Sequence, residues 1–573
     1  MNTDKIPGRL KGPAKVVRDA VRAARSGDGS LAQRERRDNS HASVTPHTGP
    51  TTTHLRAQVL ASARITSGLA RQWELTDEAP DVVLVEVDAS SDSATAAPLA
   101  EQARAARAAT VPVIVWVTAS QQVAGEAVAG LLEDVTAPVH VAVDDAASVD
   151  AWAAALARPV VHLGAAADPS IHSPALLGAA DKRERAFAVV GDADFDVARV
   201  APVKKELVDV IAGDDAATEL PGDRPVLGHY RAAALIADRP HTAWHAVEAA
   251  AVGTALIVDS GVTRVPADVR EHTCPVEDNE QLRMQTRAYL WHTEYADRIA
   301  VPAARAVRAG HTFAHRASAL EALVGRPREG RRGSAASPFD RSVSAVISTN
   351  RTHELDSVLD NMVRQSIGAD GDLQVVLVMH GLDASPTQVE ARFRDAGLDQ
   401  VVVLAADASL TLGACLNLGI EASDGAHIAK IDDDNFYGRH YLRDLVDAVD
   451  YSGASIVGKW AHYTWLRSTG AVILRFPDTE HAYQRLVQGG SILMREDVAR
   501  ALRFSDIPRA VDTDLLDRAQ AEGITTYSAD RFNYVSVRGT DRHAHTWTVE
   551  DASFMNKTSE VVFYGDPREH VDL

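Results

Sequence analysis

Short runs of apolar residues, separated by amphipathic or alanine-rich stretches, recur from about residue 54 onward. Near-continuous β-branched runs predict strands at Val82–Val87, Val113–Val117 and Val139–Val143, and residues 100–109 predict a helix after the first strand. Such strands, alternating with helices, are typical of a parallel sheet covered on both faces. We therefore expect a Rossmann-like unit over residues 54–181. It lacks a glycine-rich phosphate fingerprint after its first strand, so dinucleotide binding is not supported.

The same alternation continues in a second unit, over residues 182–324. Its pattern predicts strands at 187–191 and 254–259, a helix at 243–252, and a long helical tail over 280–323. Residues 325–341 are rich in Gly, Arg, Ser and Pro, and this composition indicates a linker. A domain boundary is therefore expected there.

A third region of alternating strands and helices spans residues 342–573. Strands followed by helices predict a nucleotide-binding half-sheet whose ligand edge lies at the carboxyl ends of its strands. The predicted strands are 343–347, 374–379, 401–404 and 427–431, and the predicted helices are 355–365 and 412–422.

The fourth of these strands runs directly into Asp432, Asp433 and Asp434. Neighbouring carboxylates raise one another's pKa unless a cation lies between them. Because Asp432 and Asp434 alternate, they can converge where a strand ends in a turn, and hard oxygen ligands suit Mg²⁺ or Mn²⁺. The alternative is a polar loop with solvated acids.

Composition narrows the function classes. The chain has 573 residues and a formal net charge of −20, which argues against a general nucleic-acid binder. Its two cysteines, Cys274 and Cys415, form neither a disulfide framework nor a zinc site, and they fit a reducing cytoplasm. No apolar run approaches the ~20 residues that span a bilayer. We therefore expect a cytoplasmic protein.

Residues 1–53 are rich in Arg, Ser, Thr, Gly and Pro, and five basic residues lie three or four apart: Lys11, Lys15, Arg18, Arg22 and Arg25. A disordered, solvated tail is one interpretation. The other is a short basic helix attracted to anionic lipid, where each Lys or Arg contributes on the order of 1 kcal/mol. Peripheral contact with the inner face of the membrane is therefore a hypothesis.

Several motifs in residues 342–573 occur in an order that resembles the family-2 glycosyltransferases of GT-A fold. They are Ser348-Thr349-Asn350-Arg351, the segment from Gly413 through Asn417-Leu418-Gly419 to Asp424-Gly425, and Ile431-Asp432-Asp433-Asp434-Asn435. The stretch 488–493 resembles the acceptor-side glycine motif of that family. The stretch 511–516 resembles its Glu-Asp motif, with Asp512 matching the catalytic Asp and Val511 replacing the usual Glu.

The resemblance implies a metal-dependent, inverting glycosyltransferase with a DXD motif. It would move a sugar from a nucleoside-diphosphate sugar to a hydroxyl of a cell-envelope glycan or polyol-phosphate polymer. A homo-oligomer is a separate hypothesis. A bound Mn²⁺ or Mg²⁺ would neutralise the diphosphate. Asp512 would take the acceptor proton as general base, and a helix N-cap is its alternative and compatible role.

The remaining site expectations divide by function. The metal ligands are expected to be Asp434, Asp432 and His545, although a surface position is the alternative for His545. Trp460 is expected either to stack on a sugar ring or to belong to the core. The donor-binding residues are expected to be Ser348, Thr349, Asn350, Arg351, His380, Asn417, Asp432 and Asp433, and the acceptor-side residues Gly489, Gly490 and Trp460.

Two features leave questions open. The second strand ends at His380-Gly381, where similar enzymes have Asp residues that bind the base, so the nucleotide stays unidentified. Residues 230–257 resemble the C-terminal half of GT-B-fold glycosyltransferases of the spore-coat CgeB-like type, in which Glu248 would hold the donor ribose. That region has either a structural role or a second nucleotide-sugar site.

Two other function classes compete with the transferase. The first is a non-catalytic scaffold that holds sugar nucleotides or partner proteins. The second is nucleotidyl transfer, which usually needs a glycine-rich first loop, whereas residues 348–351 contain no glycine.

Overall fold

The computed structural model describes residues 55–88, 96–177, 185–192, 194–200, 208–212, 219–220, 224–327, 340–367, 372–539 and 551–573. All of them belong to one compact unit, Pro50–Leu573. The basic tail over residues 1–53, most of the expected linker and His545 lie outside the described residues.

The first sheet is entirely parallel, with strand order β2-β1-β3-β4-β5-β6. Its strands β3 and β4 are buried along their whole length, as their near-continuous apolar sequences predict. The strands are β1 (Arg56–Leu60), β2 (Glu74–Leu75), β3 (Val82–Val87), β4 (Val113–Val117), β5 (Val139–Val143) and β6 (Val160–His162), and the helices are α1 (Ala63–Ala70), α2 (Ala96–Ala108), α3 (Gln121–Leu132) and α4 (Val149–Leu156).

The second sheet is also parallel, with order β13-β12-β11-β7-β8. The helical tail expected as one stretch is instead three helices, which turn at His292 and again at His311, where the backbone leaves helical geometry. The strands are β7 (Arg185–Gly191), β8 (Val208–Ala212), the short pair β9 (Glu219–Leu220) and β10 (Arg224–Pro225), β11 (Tyr230–Leu235), β12 (Ala255–Asp259) and β13 (Cys274–Val276), and the helices are α5 (Thr242–Ala251), α6 (Ala267–Arg270), α7 (Asn279–Trp291), α8 (Thr293–Gly310) and α9 (Phe313–Leu323).

The third region contains two sheets. The larger has order β16-β15-β14-β17-β23-β19-β24-β22, and the smaller has order β18-β25-β20-β21-β26. The strands are β14 (Val343–Thr349), β15 (Leu373–His380), β16 (Gln400–Ala406), β17 (His427–Ile431), β18 (Phe436–Tyr437), β19 (Ile456–Gly458), β20 (His462–Leu466), β21 (Ala471–Arg475), β22 (Ala482–Tyr483), β23 (Leu493–Arg495), β24 (Thr526–Ser528), β25 (Tyr534–Arg538) and β26 (Ser559–Tyr564). The helices are α10 (Leu355–Val363), α11 (Pro386–Asp395), α12 (Leu412–Glu421), α13 (Tyr441–Ser452), α14 (Glu496–Leu502), α15 (Val511–Ala521), α16 (Asp551–Phe554) and α17 (Arg568–Val571).

The expected α/β class, with two Rossmann-like units ahead of a third α/β region, is confirmed. Strands β14 and β17 are parallel neighbours, with Ile347 opposite Ile431. Because parallel strands end at the same edge, the loop after Thr349 and the acids after Ile431 meet there. Across the described ranges, no helix combines the length and the apolar character that crossing a membrane requires.

Candidate active site

The three acids after β17 have different partners. Asp432 Oδ1 accepts a hydrogen bond from Lys430 Nζ at 2.6 Å. Asp433 is buried and accepts from Thr349 Oγ1 at 2.5 Å and from the Arg351 guanidinium. Asp434 Oδ2 lies 3.1 Å from Arg351. The side chains of Asp432 and Asp434 are 34% and 22% exposed, so the alternate pair borders open space while the middle acid holds the loop after β14.

Lys430 is the site residue that the sequence interpretation missed. Its ammonium donates to the carbonyl of Gly489 at 3.0 Å and lies 3.3 Å from Asp512 Oδ1. Burial alone would lower the pKa of Lys430, but the charges of Asp432 and Asp512 raise it above its ordinary value. The available signal was a lysine inside an apolar strand, two residues before an acid and therefore on the same face.

Asp432 has an unusual protonation equilibrium. Burial, together with the nearby charges of Asp512 and Asp434, raises its pKa to about 6 in spite of the opposing effect of Lys430. The mutual repulsion expected from the sequence is therefore present, and Lys430 offsets only part of it.

Asp512 occupies the second position of α15, not its N-cap. The cap is Ala510, in the left-handed region with φ 59°. The carboxylate of Asp512 instead faces Lys430. Val511, which stands where the family has Glu, is buried in an apolar cluster with Leu515 and Leu516.

The Gly489-Gly490 pair lies between the two acids. A Cβ on Gly490 would lie 2.5 Å from Asp432 Oδ2, and one on Gly489 would overlap the carboxylate of Asp512. Tyr437 fixes this approach, because its hydroxyl accepts from the amide of Asp432 and donates to the carbonyl of Gly490, each at 2.8 Å. Only glycine fits these two positions without displacing an acid.

The expected donor-side residues fall into two groups. Ser348, Asn350 and His380 lie at the carboxyl ends of β14 and β15, on the edge that carries the acids. Asn417 instead donates to the carbonyl of Phe504 at 2.8 Å and accepts from its amide at 2.9 Å. Its side chain thus holds the segment that leads to α15, and both ends of its amide are already bonded to the main chain.

Trp460 lies beside the glycine pair. The amide of Gln488 donates to the carbonyl of Lys459 at 3.0 Å, which places residues 459–460 against the segment before Gly489. The Trp460 ring is half-buried and stacks on Phe476 with centroids 4.3 Å apart and planes 6° apart. One face of the indole is therefore occupied by the protein.

Glu248 lies apart from this site, in the N-terminal region. Its carboxylate is buried and lies 2.9 Å from Arg64 Nε, which comes from α1 of the first sheet's unit. The ion pair joins the two Rossmann-like units, and this favours the structural alternative for Glu248.

The residues that could hold a divalent cation lie at the carboxyl end of β17. Asp432 and Asp434 supply carboxylate oxygens of the hard type that Mg²⁺ and Mn²⁺ take. Among the described residues, no group of three or more His, Cys, Asp or Glu side chains is arranged around one point. The third expected ligand, His545, lies outside that part of the chain.

The site thus combines a parallel half-sheet with acids at its edge, a glycine pair and a separate carboxylate, an arrangement that fits a nucleotide-dependent transferase. Residues 344–508 match the family model of glycosyl transferase family 2, and residues 173–322 match the model described as glycosyl transferase-like. Residues 344–508 are therefore similar to family-2 glycosyltransferases and residues 173–322 to a second glycosyltransferase-like model, and the expected transferase class is confirmed.

Solved structures with partial similarity include S. aureus TarS, 13% identical over 34% of this chain and 37% of that one, with a TM-score of 0.28. The mannosyltransferase PcManGT from Pyrobaculum calidifontis, in complex with GDP-Man and Mn²⁺, is 15% identical over 35% of this chain and 58% of that one, with a TM-score of 0.29. TarS 1–349 in complex with UDP-GlcNAc is 16% identical over 37% of this chain and 63% of that one, with a TM-score of 0.30. Each match spans less than two thirds of the solved chain. No curated protein sequence matches this chain.

Proposed function

We propose that residues 342–573 transfer a sugar from a nucleoside-diphosphate sugar to a hydroxyl group, with inversion at the anomeric carbon. The observation that carries this proposal is the meeting of Asp432 and Asp512 at Lys430, beside the Gly489-Gly490 pair. A donor-side acid and a candidate base, several ångströms apart, are what a single in-line displacement needs.

Asp434 and Asp432 would hold Mn²⁺ or Mg²⁺, with His545 as the further expected ligand. The ion would supply positive charge against the diphosphate leaving group. Arg351, fixed by Asp433 and close to Asp434, would add a second positive charge at the same edge. Ser348, Asn350 and His380 would contact the nucleotide.

Asp512 would act on the acceptor. An alcohol is a poor nucleophile while protonated, so a carboxylate within reach of the hydroxyl accelerates attack. Lys430, 3.3 Å away, would hold the side chain of Asp512 in place. A cell-envelope glycan or polyol-phosphate polymer would be the acceptor, reached from the cytoplasm, with the basic tail over residues 1–53 in peripheral contact with lipid.

The test compares Asp512→Asn with Asp434→Ala in donor-hydrolysis and transfer assays. Asp512→Asn should still bind donor and should lose transfer by about 10²-fold or more. Asp434→Ala should lose metal-dependent turnover altogether. Asp514→Asn is the matched control, since Asp514 lies on the same helix but bonds Ser505 and Arg518. Normal transfer by Asp512→Asn would remove the base role from Asp512, and absence of transfer by the wild type would favour the non-catalytic scaffold.

The donor can be sought by thermal stabilisation. A ligand that binds the native state raises the melting temperature by mass action. A panel of nucleotide sugars, each with Mn²⁺, should contain one that stabilises the wild type and fails to stabilise Asp434→Ala.

A further inference from the structure

One face of the smaller sheet of residues 342–573 borders the candidate active site. Tyr534, Ser536 and Arg538 alternate along β25, so their side chains share a face. Register pairs extend this face to the neighbouring strands, because Thr464 lies opposite Ser536 and His462 lies opposite Arg475.

This face connects directly to the acid triplet. Asn435, which follows Asp434, donates to the hydroxyl of Tyr534 at 3.2 Å and accepts from the amide of Val537 at 3.0 Å. Tyr534 and Val537 of β25 thus both contact Asn435, and Arg538, the next residue of the strand, is close enough to Asp434 and Asp551 for their charges to act on it.

Arg475 is partly buried and has no anionic partner among the residues that the structure describes. Its Nε is buried and makes no hydrogen bond, and no carboxylate of the described residues pairs with it. Burial and the like charge of Arg538 both lower the pKa of Arg475. A guanidinium kept in such surroundings is stabilised when an anion binds it.

Aromatic rings hold the two guanidiniums in place. Arg475 Cζ lies 4.7 Å from the centre of the Phe476 ring and 5.0 Å from that of Phe554. Arg538 Cζ lies 4.9 Å from the same Phe554 ring. Because Phe476 also stacks on Trp460, the pair of arginines continues the acceptor side of the cleft.

A second polar group on this face also lacks a partner. Thr464 is 1% exposed, and its hydroxyl makes no hydrogen bond within the described part of the chain. Thr464 lies opposite Ile473, two residues from Arg475 and on the same face, and a polar ligand on this face would satisfy groups that the described residues leave without a partner.

We propose that Arg475, together with Arg538, binds a phosphate group of the acceptor, so that the hydroxyl substrate belongs to a phosphate-bearing chain. Guanidinium matches phosphate with paired N–H donors, and this match is stronger than one to a neutral hydroxyl. A local cationic pair is needed because the net charge of the whole chain is −20 and would repel a polyanion. The proposal rests on the transferase function proposed above.

Direct binding to the full chain tests it. The probes are a glycerol-phosphate oligomer, a neutral oligosaccharide of equal length, and UDP or GDP with Mn²⁺. Arg475→Gln should bind the phosphate oligomer on the order of 10-fold more weakly or worse, and Arg475→Lys should lose less. Nucleotide binding should be unchanged in both variants.

Arg467→Gln is the matched control, since Arg467 is exposed and also stacks on an aromatic ring, with Cζ 4.8 Å from Trp465. It should bind all probes as the wild type does. If Arg475→Gln weakened nucleotide binding as much as binding of the phosphate oligomer, Arg475 would belong to the donor site and the proposal would be overturned. Wild-type preference for the neutral oligosaccharide would overturn it too. Because binding is measured without turnover, failure of the transferase assays is a separate result.

Discussion

The ammonium of Lys430 lies 3.3 Å from the carboxylate of Asp512, although 82 residues separate them in the chain. The same ammonium lies 2.6 Å from Asp432. One cation thus joins the candidate donor-side acid to the candidate base.

Replacing Lys430 with Met should leave the fold intact and reduce transfer about 100-fold. Without the ammonium, Asp432 loses its cation while the charge of Asp512 stays close, so the pKa of Asp432 rises further and less of this acid is ionised at neutral pH. The pH–rate profile should show its acid limb at higher pH. Lys430→Arg keeps the charge and is the control, and it should retain most activity; equal loss in both variants would mean that packing, not charge, is what matters.

Alanine at position 490 should abolish transfer while the protein still melts cooperatively. Its Cβ would lie 2.5 Å from Asp432 Oδ2 and 2.6 Å from Asn435 Nδ2, so the acid must move. Gly130→Ala is the control, because no atom lies within 4 Å of the added Cβ there. Thermal melts and transfer assays on both variants check this, and wild-type activity in Gly490→Ala would contradict the tight approach.

Binding of Mn²⁺ to the metal-free protein should weaken as the pH falls below about 6. Asp432 has a pKa of about 6 in the folded chain, so below that pH a metal ion must displace a proton. Affinity should then fall roughly tenfold per pH unit. Titration calorimetry at several pH values measures this slope, and Asp432→Asn should bind weakly at every pH. If the Mn²⁺ affinity of the wild type did not change with pH in this range, Asp432 would be excluded as a ligand.

The raised pKa of Asp432 also affects how the stability of the fold depends on pH. The direction is opposite to that of an acid whose pKa a salt bridge lowers. The folded-state pKa of Asp432 is raised above its ordinary value of 3.8, so the native state holds the proton more tightly than the unfolded state. The contribution of Asp432 to stability is therefore present below pH 4 and is lost as the pH rises through about 6.

The sequence predicted the strands best where one physical pattern, a run of buried apolar residues, determines the secondary structure. The runs Val113–Val117 and Val139–Val143 are strands with the expected bounds, because β-branched apolar residues fit a sheet covered on both faces. The acids after Ile431 were placed correctly at the sheet edge for the same reason.

Other features of the site and fold depend on contacts between residues far apart in the chain, which a local sequence pattern cannot predict. In the sequence, Lys430 is a single charged residue within an apolar strand. Its partner Asp512 belongs to a helix 82 residues further along the chain. Asn417 lies in a donor-like motif, yet the backbone of Phe504 takes its amide. The helical tail after residue 280 breaks at His292, where no Gly or Pro signals a stop, and again at His311, directly after Gly310.

The contact between the N-terminal region and the transferase domain centres on Arg531. Its buried guanidinium lies 2.9 Å from Asp297 of α8 and 2.7 Å from Glu480, and it also bonds Glu294 of α8. Burial alone raises the pKa of Glu294, but the hydrogen bond from His570 and the charge of Arg531 hold it at about 2. The two regions are therefore joined by ionised groups.

Arg531→Met should lower the free energy of unfolding by about 3–5 kcal/mol, because it leaves carboxylates without their cation in a buried contact. Arg485→Met is the control, since the Arg485–Asp517 pair is surface-exposed and should change stability by about 0–1 kcal/mol. Denaturant melts of both variants measure the difference. In the wild type, the depressed pKa of Glu294 adds stability above about pH 4.5 that is lost as the pH falls toward 2. Arg531→Met should reduce this acid sensitivity, and equal acid sensitivity in both proteins would show that the ion pairs of Arg531 do not join the two regions.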